Sequence, residues 1–187
     1  MPDPEFLLLG EPLWLEFVNT AHQPPTGGEA LPDPAAYLRW TKAVQLSSPG
    51  DAEAYRAALA LRERLAAIAD ALAEGRAAAP SAIEAVNRRL GLLEGREQLV
   101  RIGGRWRLRF HPERPPADLE AIALSAAQAL ANPLATVRRC PGPECGLLFL
   151  DETDNQSRRI CSRTRCGQQR GRVERRRANR TPVVTDE

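Results

Sequence analysis

Apolar side chains recur every three or four residues in several stretches of the first two thirds of the chain, which is the period of an amphipathic helix. The longest stretch follows residues 48–51, whose spacing from Ser48 to Asp51 resembles a capping box, and it stops at Gly75. A second stretch opens with the same spacing at Ser81 and ends at Gly95. The inward positions of these two predicted helices are Leu61, Leu65, Ile68 and Leu72, then Ile83, Val86, Leu90 and Leu93.

Three shorter helices are predicted around these two. One starts near Leu13, after an extended lead that contains glycine and proline. Asp33 before Pro34 is typical of an N-cap followed by proline in the first turn. The last helix follows the prolines at 115–116 and breaks at Pro133. For the second and third of these helices the inward positions are Tyr37, Leu38, Thr41 and Val44, then Leu119, Ile122, Ala126 and Leu130.

Between residues 97 and 110 the apolar period changes from helical to alternating, which predicts a β-hairpin around two glycines. A three-residue loop over residues 103–105 would pair Ile102 with Trp106 and keep the apolar side chains on one face. A two-residue loop would pair Ile102 with Arg105 and separate them, so the three-residue loop is predicted. The alternating arginines are interpreted as a solvated face, with a minor role in anion binding as the alternative.

These elements define a first domain over residues 1–137 that is mainly α-helical with one small β-hairpin. Ala and Leu supply most of the apolar side chains, and aromatic residues make up only 5% of the 187 residues, which favours helices packed on helices. A small module over residues 138–180 follows. Residues 181–187 are predicted to form a disordered tail.

The formal net charge of +2 conceals an uneven distribution. Residues 1–137 carry 14 basic and 17 acidic side chains, whereas residues 138–187 carry 12 and 7, so the net charges are −3 and +5. Ten arginines but only one acid, Glu174, lie between Arg158 and Arg180. A locally basic segment favours a polyanionic partner, and arginine offers a planar fork that suits phosphates and guanine edges.

The start of the chain does not resemble a secretory signal, because the four apolar residues 6–9 follow acidic rather than basic side chains. No apolar run approaches the ~18 residues that a membrane span requires. We therefore predict a cytoplasmic protein with reduced thiols and no membrane partner.

All four cysteines lie within residues 140–166, in two pairs that each enclose four residues. In a reducing compartment such pairs indicate a metal site rather than disulfides. Tetrahedral Zn²⁺ suits two short-spaced thiolate pairs, and four sulfur ligands leave no open position for a catalytic water, so one structural zinc ion is predicted. An iron–sulfur cluster is the alternative, although its cysteines are usually closer together. The predicted ligands are Cys140, Cys145, Cys161 and Cys166.

The residues around the cysteines predict a treble-clef-like finger. A knuckle at the first pair leads into a strand over residues 147–150, then into a return strand over 157–160. Ser162 would cap a basic helix over residues 162–179. Four thiolates on Zn²⁺ leave a net charge of −2. The arginines placed to offset this charge are Arg158, Arg159, Arg163 and Arg165.

Several short motifs carry a resemblance. Residues 17–20 read Phe-Val-Asn-Thr, residues 145–151 read Cys-Gly-Leu-Leu-Phe-Leu-Asp, and residues 158–162 read Arg-Arg-Ile-Cys-Ser. The chain resembles the bacterial ABATE-domain proteins that end in a CGNR zinc finger and are described as stress-induced transcription regulators. The resemblance implies zinc binding and DNA contact. Residues 166–170 read Cys-Gly-Gln-Gln-Arg where the family has Cys-Gly-Asn-Arg, and Ile160 replaces a tryptophan.

The leading hypothesis is a DNA-binding transcription regulator in which zinc orients an arginine-rich helix toward phosphates and bases. The first domain would form a homodimer or sense a small-molecule effector. The alternative is a zinc-stabilised interaction module that binds RNA or an acidic protein, and a thiol redox switch is a third reading. The candidate nucleic-acid contacts are Arg163, Arg165, Arg170, Arg172, Arg175, Arg176 and Arg177.

An enzymatic function is not predicted. Glu16, Asn19 and His22 are spaced to share one helix face, but His22 borders a proline-rich loop. His111 follows a strand without an evident partner. Neither histidine forms part of a catalytic constellation in the sequence.

Overall fold

The computed structural model describes residues 5–23 and 28–167. In this part of the chain the predicted fold class is confirmed: a mainly helical region with a small hairpin precedes a four-cysteine finger. None of the helices described there combines the length and the apolar character needed to cross a bilayer. The elements in chain order are α1 (Leu13–Asn19), α2 (Pro34–Ala43), α3 (Ala52–Ala73), α4 (Pro80–Leu90), β1 (Gly95–Ile102), β2 (Arg105–Pro112), α5 (Asp118–Leu130), β3 (Thr136–Arg139), β4 (Leu148–Asp151) and a π-helical turn (Arg163–Gly167).

Local signals place two helix ends where the sequence predicts them. The Asp33 carboxylate accepts a hydrogen bond from the backbone N–H of Ala36 at 2.7 Å and caps α2. Gly75 has a φ of +72° and ends α3. The left-handed conformation of this glycine lets the Arg76 N–H donate to the Ala71 carbonyl at 2.8 Å, which satisfies one of the last carbonyls of the helix.

The predicted capping box before α3 is wrong. Asp51, and not Ser48, caps this helix, because its carboxylate accepts a hydrogen bond from the Ala54 N–H at 2.8 Å. The Ser48 hydroxyl accepts from the N–H of Gly50 at 3.4 Å and stabilises the preceding turn.

The predicted ends of α4 are also wrong. The helix starts at Pro80, one residue before Ser81, and has no side-chain cap. Proline is favoured at the first helical position because it has no N–H to satisfy there. The helix ends at Leu90 and is followed by Gly91, so Gly95 begins β1 instead of ending α4.

Helix α1 lies at the centre of the core. Its residues Trp14, Leu15 and Phe17 are fully buried, and the helix packs on α3, α5 and β4. The Phe17 ring centroid lies 5.0 Å from that of Trp40 and 6.3 Å from that of Tyr37. Trp40 is absent from the predicted inner face of α2, although it follows Tyr37 at helical spacing.

The core continues from the helices into the finger. Val137 of β3 and Leu148 and Leu150 of β4 are buried in the same apolar cluster as the α1 side chains. Leu147 and Phe149 are buried in a second cluster, which contains the four cysteines. Because side chains alternate across a strand, the β4 segment connects the helical core to the sulfur cluster.

The β1–β2 hairpin turns through two residues, Gly103 and Gly104, and the predicted three-residue loop is wrong. Both glycines have positive φ, +58° and +80°, as a type I′ turn requires. Ile102 therefore pairs with Arg105 and not with Trp106. The three-residue loop would give the register that buries the apolar side chains together. In the structure these side chains are exposed, so the turn sets the register.

The predicted finger strand is confirmed as β4, but the predicted return strand over residues 157–160 is wrong. The partner of β4 is β3, which precedes the first cysteine, and Val137 lies opposite Leu150 in the antiparallel pair. Of the predicted helix over residues 162–179, the π-helical turn lies within the described residues. The remainder of that helix and the predicted tail lie outside them.

Candidate metal centre

The four cysteine side chains converge on one point. Their Sγ atoms all lie within 4.8 Å of one another, and all four residues are buried. The Cys145 and Cys161 sulfurs are 3.6 Å apart, as are those of Cys161 and Cys166. Tetrahedral Zn²⁺ with bonds of about 2.3 Å sets its ligand sulfurs about 3.8 Å apart, whereas a disulfide bond measures about 2.05 Å. The structure thus brings the four predicted ligands together at the spacing of a zinc site.

Backbone hydrogen bonds shape the first cysteine pair. The Cys140 N–H donates to the Leu147 carbonyl at 2.8 Å, and the Cys145 N–H donates to the Gly142 carbonyl at 3.1 Å. Gly146 has a φ of +64°, a conformation that other residues rarely adopt. The chain consequently turns back between β3 and β4 with both sulfurs on the same side.

The second pair is positioned by the π-helical turn. The Cys166 N–H donates to the Ser162 carbonyl at 2.9 Å, and the Ser162 hydroxyl accepts from the Arg165 N–H at 3.4 Å, as predicted for an N-cap. The Cys161 N–H donates to the Cys140 sulfur at 3.4 Å and so links the two pairs. Hydrogen bonds to the charged sulfur stabilise the thiolate form that zinc requires.

Gly142 lies directly against the sulfur cluster. A Cβ atom added at this position would lie 2.9 Å from the Cys166 sulfur and 3.4 Å from the Cys140 sulfur. The first of these distances is shorter than real Cβ contacts allow. The close approach of the backbone to the ligands therefore requires glycine.

Burial opposes the ionisation of the Cys161 and Cys166 thiols. Burial raises the pKa of Cys166 to about 12 and raises the pKa of Cys161, to which the neighbouring thiols also contribute. Burial acts in the same direction on Cys140, but N–H donors from Cys161 and Gly142 hold the pKa of that thiol below its ordinary value. Four thiolates this close together repel one another, and a dication stabilises them all, so this donor set fits Zn²⁺.

Arg158 joins three parts of the molecule. Its guanidinium lies 4.7 Å from the centroid of the Phe149 ring and donates to the carbonyls of Leu150 and Cys161. It also forms an ion pair with the buried Glu11. The sequence predicts Arg158 as a charge that offsets the zinc site and as part of a family motif, but not these contacts. These contacts explain why residues 157–160 form no strand, since the arginine side chain holds them against β4.

Two buried carboxylates organise the segment before α1. Glu11 accepts a hydrogen bond from the Leu150 N–H at 2.9 Å, and Glu16 accepts from the N–H groups of Leu9 and Glu11 at 2.7 and 2.8 Å. Burial raises the pKa of both carboxyls. Glu16 Oε2 is buried without a hydrogen-bond partner among the described residues. The segment so held packs Leu7 and Leu9 onto the sulfur cluster.

Asn19 bonds both backbone groups of Leu148. Its Nδ2 donates to the Leu148 carbonyl and its Oδ1 accepts from the Leu148 N–H, both at 2.9 Å. The amide side chain thus acts as a partner for β4, whose sheet has two strands in the described residues. The sequence places Asn19 in a family motif and on one helix face with Glu16. The shared face suggests that Glu16 and Asn19 act together. No nearby residue in the sequence indicates that Asn19 binds the finger.

The candidate nucleic-acid arginines are placed only in part. Arg163 is exposed and Arg165 is half-buried on the π-helical turn that carries the last ligand. Neither forms an ion pair with another described residue. The other five lie outside the described residues: Arg170, Arg172, Arg175, Arg176 and Arg177.

The two histidines form no catalytic group within the described residues. His22 lines a depression of about 170 Å³ beside the first cysteine pair, together with Asp70 and Arg139. Asp70 is engaged there by Arg139 at 2.6 Å. His111 lies on the β1–β2 hairpin. The other two members of the candidate helix face, Glu16 and Asn19, make the structural contacts described above.

Two family models match the chain. ABATE, described as "Putative stress-induced transcription regulator", matches residues 11–133, and the CGNR zinc finger matches residues 136–180. No curated protein matches the chain. The second match contains the sulfur cluster, which binds one structural zinc ion. With about two thirds of its residues in the first match, the chain belongs to the ABATE family and carries a CGNR zinc finger.

Proposed function

We propose that this protein is a DNA-binding transcription regulator in which the structural zinc ion orients an arginine-rich segment toward phosphates. The observation that carries the proposal is the position of the last ligand. Cys166 is buried in the sulfur cluster, and residues 168–180, with six arginines and one acid, follow almost at once. The zinc site therefore fixes the point at which this basic segment begins.

The contacts between the finger and the helices support a fixed orientation. Arg158, Glu11 and Asn19 tie β4 and the third ligand to the helical core through side-chain hydrogen bonds. Val137 and Leu150 are buried in that core. A finger held in this way presents Arg163 on a defined side of the molecule, so less conformational freedom is lost when it binds a rigid partner.

We also propose that the role is not enzymatic. Four sulfur ligands leave no open coordination position for water or substrate. The two matched families are described as a transcription regulator and a zinc finger.

An open groove between α3 and α4 supports effector sensing by the first domain. The groove has a volume of about 480 Å³, within the range of small-molecule sites. Alanine side chains line much of it, and Arg64, Arg88 and Arg89 border it without an ion pair in the described part of the chain. An organic anion with an apolar body fits this lining. A thermal-shift screen of such anions, with Arg88→Ala as the control, tests this part.

A salt series tests the nucleic-acid part of the proposal. Fluorescence anisotropy of the zinc-loaded protein with labelled duplex DNA is measured at several salt concentrations. Contact with about six phosphates gives a slope near −5 in a plot of log affinity against log salt concentration. Affinity that does not change with salt, or an absence of binding, would contradict the proposal. Tighter binding to RNA or to an acidic protein would favour the interaction-module alternative.

Single arginine substitutions sharpen this test. Arg176→Ala should reduce the magnitude of the slope by about 1, because one phosphate contact is lost. The matched control is Arg56→Ala, which removes an exposed charge from α3. If both variants weaken binding equally, only the overall charge matters and the finger does not direct binding.

A further inference from the structure

The β1–β2 hairpin exposes a cluster of large apolar side chains on one face. The register places Leu99 directly opposite Leu108, and their neighbours on the same face are Trp106 and Phe110. Leu99 and Trp106 are each 68% exposed, and Leu108 is 58% exposed. We name these four side chains the apolar hairpin face. A two-stranded hairpin is marginally stable in water unless such a face is covered.

The rest of the chain is poorly suited to cover this face. In the described part of the chain, no helix packs closely against either hairpin strand. Residues 1–4, 24–27 and 168–187 contain no leucine, isoleucine or aromatic side chain. The longest of these segments carries six arginines, and it is costly to bury their guanidinium charges unpaired against an apolar surface. Another molecule is therefore better suited to cover it.

The charges that flank the apolar hairpin face favour a second copy of this chain. Glu97 and Arg101 lie on the same face, on either side of Leu99. Both are exposed, and neither forms an ion pair with another described residue. A two-fold axis perpendicular to the strands would place Glu97 of each copy opposite Arg101 of the other, and Leu99 opposite Leu99. The face is thus complementary to itself, as an isologous contact requires.

We propose that the protein forms a homodimer in which two β1–β2 hairpins pack with their apolar faces together in this antiparallel arrangement. The exposed parts of Leu99, Trp106 and Leu108 together amount to roughly half of the ~800 Å² that each partner buries in a stable interface. A contact of this size is typical of weak association, so a dissociation constant on the order of micromolar to tens of micromolar is expected.

In this dimer the opposite face of the hairpin is not covered by the partner. Cross-strand pairing places Arg96, Arg105, Arg107 and Arg109 on that face, which points away from the partner in the dimer. Two fingers related by a two-fold axis suit an operator with two half-sites. This inference gives a defined contact to the homodimer that the sequence analysis predicts as one role of the first domain, and it does not depend on DNA binding.

Sedimentation velocity of the full-length, zinc-loaded protein tests the proposal. The protein is examined from about 1 to about 200 µM at low ionic strength, a range that spans a micromolar constant. The wild type should shift from monomer to dimer across this range. Leu108→Glu should weaken association by at least about 30-fold, because a buried unpaired charge is costly. Ile102→Glu, on the opposite face, is the matched control and should leave association unchanged.

Charge exchange distinguishes this arrangement from other dimers. Glu97→Arg and Arg101→Glu each place like charges opposite one another twice and should weaken self-association by roughly tenfold. A mixture of these two variants should restore the dimer, because each copy then carries the charges that complement the other. Trp106 fluorescence provides a second readout, since the other two tryptophans are fully buried and acrylamide quenching should fall as the dimer forms.

Three outcomes would overturn the proposal. They are a wild type that stays monomeric throughout, a dimer that Leu108→Glu does not affect, and a mixture of charge variants that associates no better than either alone. Zinc content and binding of a single DNA half-site are measured in each variant. If both are retained while dimerisation is lost, the finger's function is separate from the contact between copies.

Discussion

Gly142 and Asn19 each make a contact that depends on one residue type. Gly142 lies so close to the Cys166 sulfur that a Cβ atom would be 2.9 Å away. Asn19 offers a donor and an acceptor to the two backbone groups of Leu148, both at 2.9 Å. Neither residue is a ligand, yet the first shapes the metal centre and the second attaches it to the helical core.

Gly142→Ala should weaken zinc binding by about tenfold or more, because the added methyl group displaces the Cys166 or Cys140 sulfur from its position. Competition with a chromophoric chelator measures the affinity. The control is Gly167→Ala, where an added Cβ would make an ordinary contact of 3.5 Å with Ile160. Equal zinc affinity in the two variants would show that the close approach is not needed.

Asn19→Ala should lower the free energy of unfolding by about 2 to 4 kcal/mol. Two hydrogen bonds are lost, and the buried N–H and carbonyl of Leu148 are left without this side-chain partner. Asn19→Asp should not restore stability, since a carboxylate cannot donate to the Leu148 carbonyl. Urea unfolding measures both variants. Asn155→Ala, at an exposed position, is the control, and a similar loss there would refute the assigned role of Asn19.

At the scale of elements, residues 9–11, which precede α1, connect the helix to the finger through hydrogen bonds. Glu16, in the first turn of α1, accepts hydrogen bonds from the N–H groups of Leu9 and Glu11. Glu11 in turn bonds the Leu150 N–H of β4 and the guanidinium of Arg158. Helix, segment and strand are therefore held together by two buried carboxyls, whose protonation affects stability.

Glu16→Gln should change how stability varies with pH. Burial raises the pKa of the Glu16 carboxyl in the folded state, so the folded protein binds this proton more tightly than the unfolded chain does. The stability that this proton contributes is present below the unfolded pKa and is lost as pH rises through the folded pKa. The wild type should therefore lose stability relative to the variant as pH rises from acid toward neutral.

Urea titrations at several pH values measure this difference. Both proteins keep Glu11, whose charge contributes to the raised pKa of Glu16. The control is Glu63→Gln, which alters an exposed carboxyl on α3. A difference between the wild type and Glu16→Gln that stays constant with pH would contradict the assignment.

At the scale of the whole molecule, the finger and the helical region share one core. Val137, Leu148 and Leu150 belong to the cluster that contains the α1 side chains, and β3 packs on α3. The cysteines form their own cluster on the other side of β4. The zinc site is thus coupled to the helices through a single strand.

Zinc removal should consequently affect more than the finger. Chelation leaves the thiols without a cation, so β3 and β4 should lose protection from hydrogen exchange, and α1 should lose part of its protection because β4 covers it. Helix α4 has no close contact with β3 or β4 and should keep its protection. Hydrogen exchange measured by mass spectrometry, with and without chelator, compares the loss of protection in these elements. Unchanged protection in α1 would show that the finger unfolds independently.

Much of the fold follows from local signals in the sequence. Helical periodicity predicts all five α-helices, and the cysteine spacing predicts the zinc ligands, because both depend on residues close together in the chain. The predicted hairpin register is wrong, since it requires the burial of side chains that are exposed. The return strand over residues 157–160 was also wrong, because the side chain of Arg158 replaces strand pairing there.

The sequence by itself determined the metal, its four ligands and the basic charge that follows them, because a tetrahedral thiolate site needs little beyond four correctly spaced sulfurs. Only the tertiary structure decided how that site is held. Asn19 reaches Leu148 across 129 positions and Glu11 reaches Arg158 across 147. Such contacts depend on how α1 packs against β4, and no short-range pattern specifies that packing.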